Sequence, residues 1–462
     1  MQKEKTDYLK MLRGGEKLTF HQQLLMILTL SIPGMLAQLS TIAMEYIDAS
    51  MVGQLGKADS AAIGLVSTTT WLVGGLCSSA GIGFTVQLAH RLGAEDGPEA
   101  RNVMRIGLIF AAIFSLVLAA IGLAVSGALP GWLGGGEEIQ TKASHYFAIF
   151  VAALPAMQLF YTTAGFLEAS GNMKLPSIVS ALECGLDIVF NYIFIYVCDM
   201  GVVGAALGTA VAEVIAAGIL LFYVLRKSPE LKIRAGEKIH HAGQVVEKAV
   251  KMSIPQAIES LIMGGAQIII TLIVAPLGNV AIAANSFAIT AESLCYMPGY
   301  GIQSAAVTMI GQSVGAGRKD ILRRLGWSVV IFGAAIMTAS GILMYIFAPE
   351  MIGILSPDPA IRELGTRILR IEAFAEPMFC ASIVAAGVFH GTGDTLHPTI
   401  FYIASMWLGR LPMAFILSKT IGLRGVWIAM AVELTVRGIL FLIRLSGRKW
   451  HESLKNEKVS IE

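Results

Sequence analysis

The sequence predicts an all-α integral membrane protein, with twelve transmembrane helices in two pseudo-symmetric six-helix bundles. Three observations predict it. Only 14% of the 462 residues are charged, where a soluble domain carries about 25%, and the mean hydropathy is +0.69. Twelve apolar runs are each long enough to cross about 30 Å of hydrocarbon. The second six of these runs repeat landmarks of the first six at one fixed shift.

The elements follow in order. A polar stretch, MQKEKTDYLKMLRGGEK, leads directly into a long apolar run at 22–52. It lacks the short apolar core and small-residue cleavage site of a signal peptide, so none is expected to be removed. Further runs fall at 60–88, 103–128, 142–168, 175–198 and 202–225. The longest interior polar stretch, RKSPELKIRAGEKIHHAGQVVEK from Arg226 to Lys248, then reads as a solvated connector along the membrane surface, with enough basic charge to meet anionic lipid. The second set lies at 250–276, 280–312, 325–348, 364–390, 397–420 and 423–445. The expected division is an N-terminal lobe 1–225, a cytoplasmic linker 226–248, a C-terminal lobe 249–446 and a cytoplasmic tail 447–462.

Basic residues fix an orientation. They concentrate in alternate connections: Lys3, Lys5, Lys10, Arg13 and Lys17; Arg91, Arg101 and Arg105; Lys227, Lys232, Arg234 and Lys238; Arg318, Lys319, Arg323 and Arg324; Arg444, Arg448 and Lys449. By the positive-inside rule both termini are expected in the cytoplasm, for a multi-pass protein of a bacterial plasma membrane. A formal net charge of +2 gives no reason to expect a nucleic-acid partner. The five cysteines, Cys77, Cys184, Cys198, Cys295 and Cys380, are scattered through apolar segments without C-x-x-C spacing, so neither disulfides nor zinc are expected.

The repeat is direct. Ser31-Ile32-Pro33 recurs as Ser253-Ile254-Pro255, a shift of 255 − 33 = 222 residues. The same shift carries Leu55-Gly56 onto Leu277-Gly278, Gly93-Ala94 onto Gly315-Ala316 and Pro155 onto Pro377. It also carries AGFLEASGNMKLP (Ala164 to Pro176) onto AGVFHGTGDTLHP (Ala386 to Pro398). Six spans and an inside linker return the chain to its starting orientation, so the repeats are parallel, an arrangement typical of transporters with a site near the membrane midplane.

Into this apolar background the first run places two acids, Glu45 and Asp48. Three residues apart, they share one helix face, and each costs about 2.5–3.5 kcal/mol near the bilayer centre on insertion scales. A function that offsets the cost is expected.

Several segments together resemble the multidrug and toxic compound extrusion (MATE) family over roughly residues 20–445: DASMVGQLG, the run from Ala284 to Gly317, the paired SGNMKLP and GTGDTLHP turns, and DIVFNYIFIYVCDMGVVGAALGT from Asp187 to Thr209. The resemblance implies export of amphipathic, usually cationic organic compounds, driven by inward flow of H+ or Na+, through two six-helix lobes arranged in a V around a cavity. It also implies a cation site at Asp48, Asp187, Asn191 and Thr209, with Na+ as a possible occupant and no cofactor. Here an acid, Asp187, stands first and an asparagine, Asn191, second in the fifth-helix pair, the reverse of the family's common Asn-x-x-x-Asp order, and Thr41 replaces a frequent glutamine. The choice between proton and sodium therefore stays open. Asp187 and Asn191, four apart, share a helix face. Two carboxylates close together in a low dielectric resist ionising together, so such a site can take a proton at neutral pH.

Glu45 is read either as part of this site or as pointing to the lobe interface. Thr41, Glu259, Met263, Tyr296 and Glu376 are the candidate substrate-binding residues. For Glu259 and Glu376 the competing reading is a packed, hydrogen-bonded acid near a helix end, and for the methionines and aromatics, including Phe287, Met297, Tyr300 and Trp407, it is core or lipid contact. Glu213, Glu433, Arg410 and Arg437 read as structural. The span prolines Pro33, Pro155, Pro255, Pro298 and Pro377 each remove a backbone hydrogen bond and can kink the helix.

No H-E-x-x-H, G-x-S-x-G or Walker A sequence occurs, and the Gly391 to Asp394 GTGD is SGNM in the other copy, so an enzyme is not expected. The reading is a secondary antiporter of small organic cations, in contact with membrane lipid and monomeric. The alternatives are a flippase of lipid-linked saccharides, disfavoured by the scarcity of basic residues inside the spans, and a receptor or scaffold without transport, disfavoured by the buried acids.

Overall fold

The computed structural model describes residues 8–16, 18–234, 236–447 and 449–452. Lys3, Lys5, Lys17 and Arg448 of the basic clusters, and residues 453–462 of the tail, lie outside the described residues. Among the described residues every regular element is helical.

A short α1 (Tyr8–Arg13) precedes α2 (Phe20–Gly53), α3 (Lys57–Gly93) and α4 (Gly97–Val125). One turn, α5 (Leu129–Trp132), leads to α6 (Glu137–Ala169), α7 (Lys174–Tyr192) and α8 (Gly201–Phe222). The second half holds α9 (Ala242–Val274), α10 (Asn279–Gly315), α11 (Lys319–Leu355), α12 (Pro359–Glu372) and α13 (Glu376–Gly391). Then come α14 (Leu396–Ala404), α15 (Leu411–Ile421), α16 (Leu423–Ser446) and the short α17 (Lys449–Glu452). Wider π-helical turns at Ile193–Val197, Tyr223–Lys227 and Ser405–Arg410 extend α7, extend α8 and join α14 to α15.

Among the described residues, eleven helical segments are long and apolar enough to span a membrane unaided. The remaining expected span, 364–390, tenth in the chain, is broken: α12 and α13 meet at 57°. The break falls at Ala373–Ala375, just before Pro377 in the first turn of α13, where its ring cannot continue the helix from α12. Pro33, Pro155, Pro255 and Pro298 instead lie within continuous helices.

Helix starts follow local chemistry. Asp96 caps α4 by accepting from the Glu99 amide at 3.1 Å, with Pro98 in the first turn. Asp358 caps α12 in the same way, accepting from the Ala360 amide at 2.8 Å. The repeat is equally visible in the backbone. Gly56 and Gly278 open α3 and α10 with φ of 115° and 95°. The same shift relates Glu95 (59°) to Gly317 (68°), and Gly171 (89°) to Gly393 (88°). Left-handed turns thus recur at matching positions of the two halves.

The chain forms two units, Leu39–Ser260 and the combination of residues 1–38 with Leu261–Glu462. Their boundaries fall inside α2 and α9. In the first unit, α6 packs against α3, α4 and α8. Phe84, Leu88, Met104, Phe166 and Leu220 fill its larger core. The first part of α9 crosses α3 so closely that a Cβ on Gly83 would lie 2.1 Å from the Ala249 carbonyl oxygen. In the second unit, α13 lies against α10, α11 and α16, around Phe389, Trp427 and Phe441. There the first part of α2 meets α10 at Gly34 and Gly301, with no room for a Cβ on either.

The connector at 228–241 is docked rather than fully solvated. Leu231 is fully buried in the core beneath it. Arg101, only 3% exposed, grips Glu237 with Nε at 2.9 Å from both carboxylate oxygens and donates to the Glu230 carbonyl at 3.2 Å. Arg105 donates to the Glu237 carbonyl at 2.7 Å, and Asn102 exchanges two hydrogen bonds with the His240 backbone.

Candidate cation site

The site lies within the first unit, where α2 and α7 supply side chains and the backbone of α8 packs against α7. On α7, Glu183, Asp187 and Asn191 recur every fourth residue and so form a ladder on one face. Asp187 is completely buried and Asn191 nearly so. The Asn191 amide nitrogen donates to Asp48 Oδ1 on α2 at 2.8 Å and to Asp187 Oδ2 at 3.0 Å. One neutral side chain therefore spends both its hydrogens on two carboxyl groups.

A glycine on α8 makes this possible. A Cβ at Gly208 would fall 2.0 Å from Asn191 Oδ1 and 2.8 Å from its backbone nitrogen. The bare backbone of α8 lets the amide turn toward α2. Asp187 Oδ1 and Asn191 Oδ1 are buried without a hydrogen-bond partner. Buried oxygens normally find one, so the pair is suited to a proton or a small cation.

Thr209 faces a different partner, its hydroxyl donating to the Ala205 carbonyl of its own helix at 3.2 Å. Glu45 is exposed one turn before Asp48, and its charge acts on Asp48. Thr41 is exposed farther along α2. Of the other candidates, Glu259 is buried in the same unit, whereas Met263, Tyr296 and Glu376 belong to the second unit. Tyr296 sits 5.4 Å from Phe379 and 6.1 Å from Tyr300, ring to ring, and Glu376 is fully buried.

Sequence reasoning missed Glu183. It interacts electrostatically with Asp187 and, like Glu213 of α8, with Tyr161 of α6. The signal was present in the four-residue spacing from Glu183 to Asp187. Beside the acids, Met51, Gln54, Ile188, Val189, Tyr192 and Tyr196 line a groove of about 490 Å³. Tyr196, on the groove wall, donates to the Met51 carbonyl at 3.1 Å.

Two repeated helical halves, spans rich enough in apolar residues for a bilayer and acids buried within them define a polytopic membrane transporter, not an enzyme. The sequence pattern of the MatE family matches residues 33–193 and again 255–416, the two copies beginning 222 residues apart. The chain belongs to that family. It is 27% identical over 436 residues to a probable multidrug resistance protein NorM of Thermotoga maritima, covering 92% of this chain and 93% of the relative. It is 24% identical over 423 residues to the multidrug export protein MepA of Staphylococcus aureus, covering 90% and 92%. A crystal structure of a MATE protein in complex with MaL6 superposes with a TM-score of 0.90 at 22% identity, covering 97% of this chain and 99% of that one.

Proposed function

We propose that the protein is a secondary antiporter that exports amphipathic organic cations by alternating access, with H+ or Na+ as the driving ion and both termini in the cytoplasm. The observation that carries the reading is the Asn191 bridge between Asp48 and Asp187, with two orphaned oxygens beside it. Two carboxyl groups, one half-buried and one fully buried, sharing a single neutral donor are most readily balanced by one added positive charge. A proton does this without further ligands.

Proton coupling is the first reading because the amide presents its donor to the acids. A sodium ion becomes the better fit if the amide is turned over, since Asn191 Oδ1 would then face the carboxylates, and amide orientation follows from the surrounding hydrogen bonds. The groove beside the acids supports an amphipathic substrate, because apolar and aromatic walls lie within a turn of negative charge. Names of relatives such as NorM and MepA support drug export as the direction of transport.

Energetically, exchange of one monovalent ion for one monovalent drug moves no net charge. It then draws on the chemical gradient alone, about 1.4 kcal/mol per tenfold difference. Exchange of two ions per drug also draws on the potential, about 2.3 kcal/mol per 100 mV. The test is efflux of a fluorescent organic cation from proteoliposomes under separately imposed pH and sodium gradients. Acceleration by one gradient identifies the ion, and indifference to both would rule out antiport.

A further inference from the structure

The first unit holds a polar pocket that shares no residue with the cation site. It lies between the connector and the start of α4, where Pro98, Asn102, Arg105, Glu237, Lys238 and His240 line a volume of about 310 Å³. The one acid in its wall is already spent: the Glu237 carboxylate is held by Arg101 and, at 3.1 Å, by Arg105. Glu99 is matched by His240, whose Nε2 lies 2.6 Å from it, and Asp96 faces Arg91 at 3.8 Å. What is left over is cationic. Lys238 is exposed, and among the described residues no acid pairs with its ammonium group. The Arg105 side chain is only 12% exposed, and its Nε is buried without an acceptor, a state that buried donors normally avoid.

Helix length sets the depth of the pocket. The 29 residues of α4 make about 44 Å of helix, against about 30 Å of hydrocarbon. All its charged residues, Glu99, Arg101 and Arg105, fall between Gly97 and Arg105, so the excess of about 14 Å lies at this end. Arg105 therefore sits where the headgroups begin. Exposed apolar side chains surround the same level: Ile233 and Ile239 flank Arg234 and Lys238 along the connector, and Phe222 ends α8 with the Lys227 ammonium 5.7 Å from its ring centre. A free anion has no use for these, whereas a lipid brings acyl chains to cover them.

We propose that this pocket binds the phosphate of an anionic phospholipid from the leaflet it faces, with Arg105 and Lys238 as the donors and Ile233 and Ile239 against the acyl chains. The phosphate oxygens give the Arg105 Nε the acceptor it lacks and offset the surplus positive charge. Because one donor belongs to α4 and the other to the connector, a bound lipid ties the two together.

The test needs no transport substrate and so stands apart from the antiport reading. Full-length protein is reconstituted into vesicles of phosphatidylcholine alone or mixed with phosphatidylglycerol. Native mass spectrometry then counts the lipid retained, and hydrogen exchange follows the 228–241 amides. Phosphatidylglycerol should be retained in preference to phosphatidylcholine and should slow exchange of the connector. Lys238→Gln should weaken that retention about fivefold, the share of one basic residue near an anionic surface, while exchange in phosphatidylcholine alone stays as it was, since no contact within the chain depends on that ammonium. Equal retention of the two lipids would overturn the assignment, as would retention of phosphatidylglycerol unmoved by Lys238→Gln. So would inorganic phosphate slowing exchange in phosphatidylcholine vesicles as much as phosphatidylglycerol does, which would mark a site for free anions.

Discussion

The Asn191 amide donates to Asp48 across 2.8 Å, joining two helices whose residues stand 143 apart in sequence. Its other hydrogen goes to Asp187. The link makes the two acids a single unit, and each can be tested through the other.

Asp48→Asn should abolish gradient-driven efflux while leaving expression and folding near normal, because the amide keeps the shape and removes the exchangeable charge. Asp187→Asn should also impair it. Glu45→Gln should have the milder effect, since Glu45 acts on Asp48 by charge alone. Proteoliposome efflux at matched protein levels is the measurement. Wild-type rates for Asp48→Asn would shift the search to Glu259 and Glu376.

Gly208→Ala should be nearly as damaging as removing an acid. The added methyl would collide with the Asn191 side chain and backbone. Overpacking of this kind costs about 1–3 kcal/mol, and relief requires the amide to leave one carboxylate. A lower melting temperature together with lost coupling is expected. Normal coupling would show that the bridge is dispensable.

Gly83→Val should destabilise the first unit by a similar or larger amount, since its Cβ meets the backbone of Ala249 rather than a movable side chain. Gly64→Ala, where nothing lies within 4 Å, is the control. It should be neutral or slightly stabilising, as alanine favours helix over glycine by about 1 kcal/mol. Thermal unfolding in detergent separates the two.

The connector should be pH-sensitive. Hydrogen bonding from Arg101, opposed by some desolvation and aided by nearby arginine charge, holds Glu237 below its ordinary value of 4.5. The Lys238 carbonyl and the Glu99 carboxylate, 2.6 Å away, hold His240 above 6.5. The Glu237 contribution is complete above about pH 4.5 and fades as pH falls through its lowered value. The His240 contribution is complete below about pH 6.5 and fades as pH rises through its raised value. Docking should thus be tightest between these limits. Hydrogen exchange of the 228–241 amides, corrected for intrinsic rates, should increase above the window, and Glu99→Gln should remove that increase by loosening the segment throughout.

For topology, single cysteines at Gly134 and Asp358 in a background without native cysteines should react with an impermeant reagent outside intact cells. One at Gly236 should react only after lysis. Labelling of Gly236 in sealed cells would invert the orientation.

Much of this molecule was legible in the sequence because a bilayer simplifies the problem. Apolar length alone located every span to within several residues, and proline and glycine landmarks revealed the repeat. The tenth span is the least regular of the twelve: composition reads through the break at Ala373–Ala375, and Pro377 is the only local sign of the bend. The connector did mislead. Its charges look solvated until partners appear, and Arg101 and Glu237 are 136 residues apart. Asp48, Asp187 and Asn191 came from motif resemblance and helical spacing, but the role of Gly208 depends on interhelical distance, which no local pattern records.

The left-handed turns carry information about descent. If the halves arose by copying one ancestral segment, the backbone path at Glu95 and Gly317 was set once and kept in both, although only one copy still has the residue that adopts it freely. Glu95 holds φ at 59° despite its side chain, a conformation that disfavours most L-residues. Each half can therefore serve as a template for repairing the other. At a matched position where the torsions agree and the residues differ, the more permissive residue is a ready-made stabilising substitution, already accepted by the same curve of chain a few helices away.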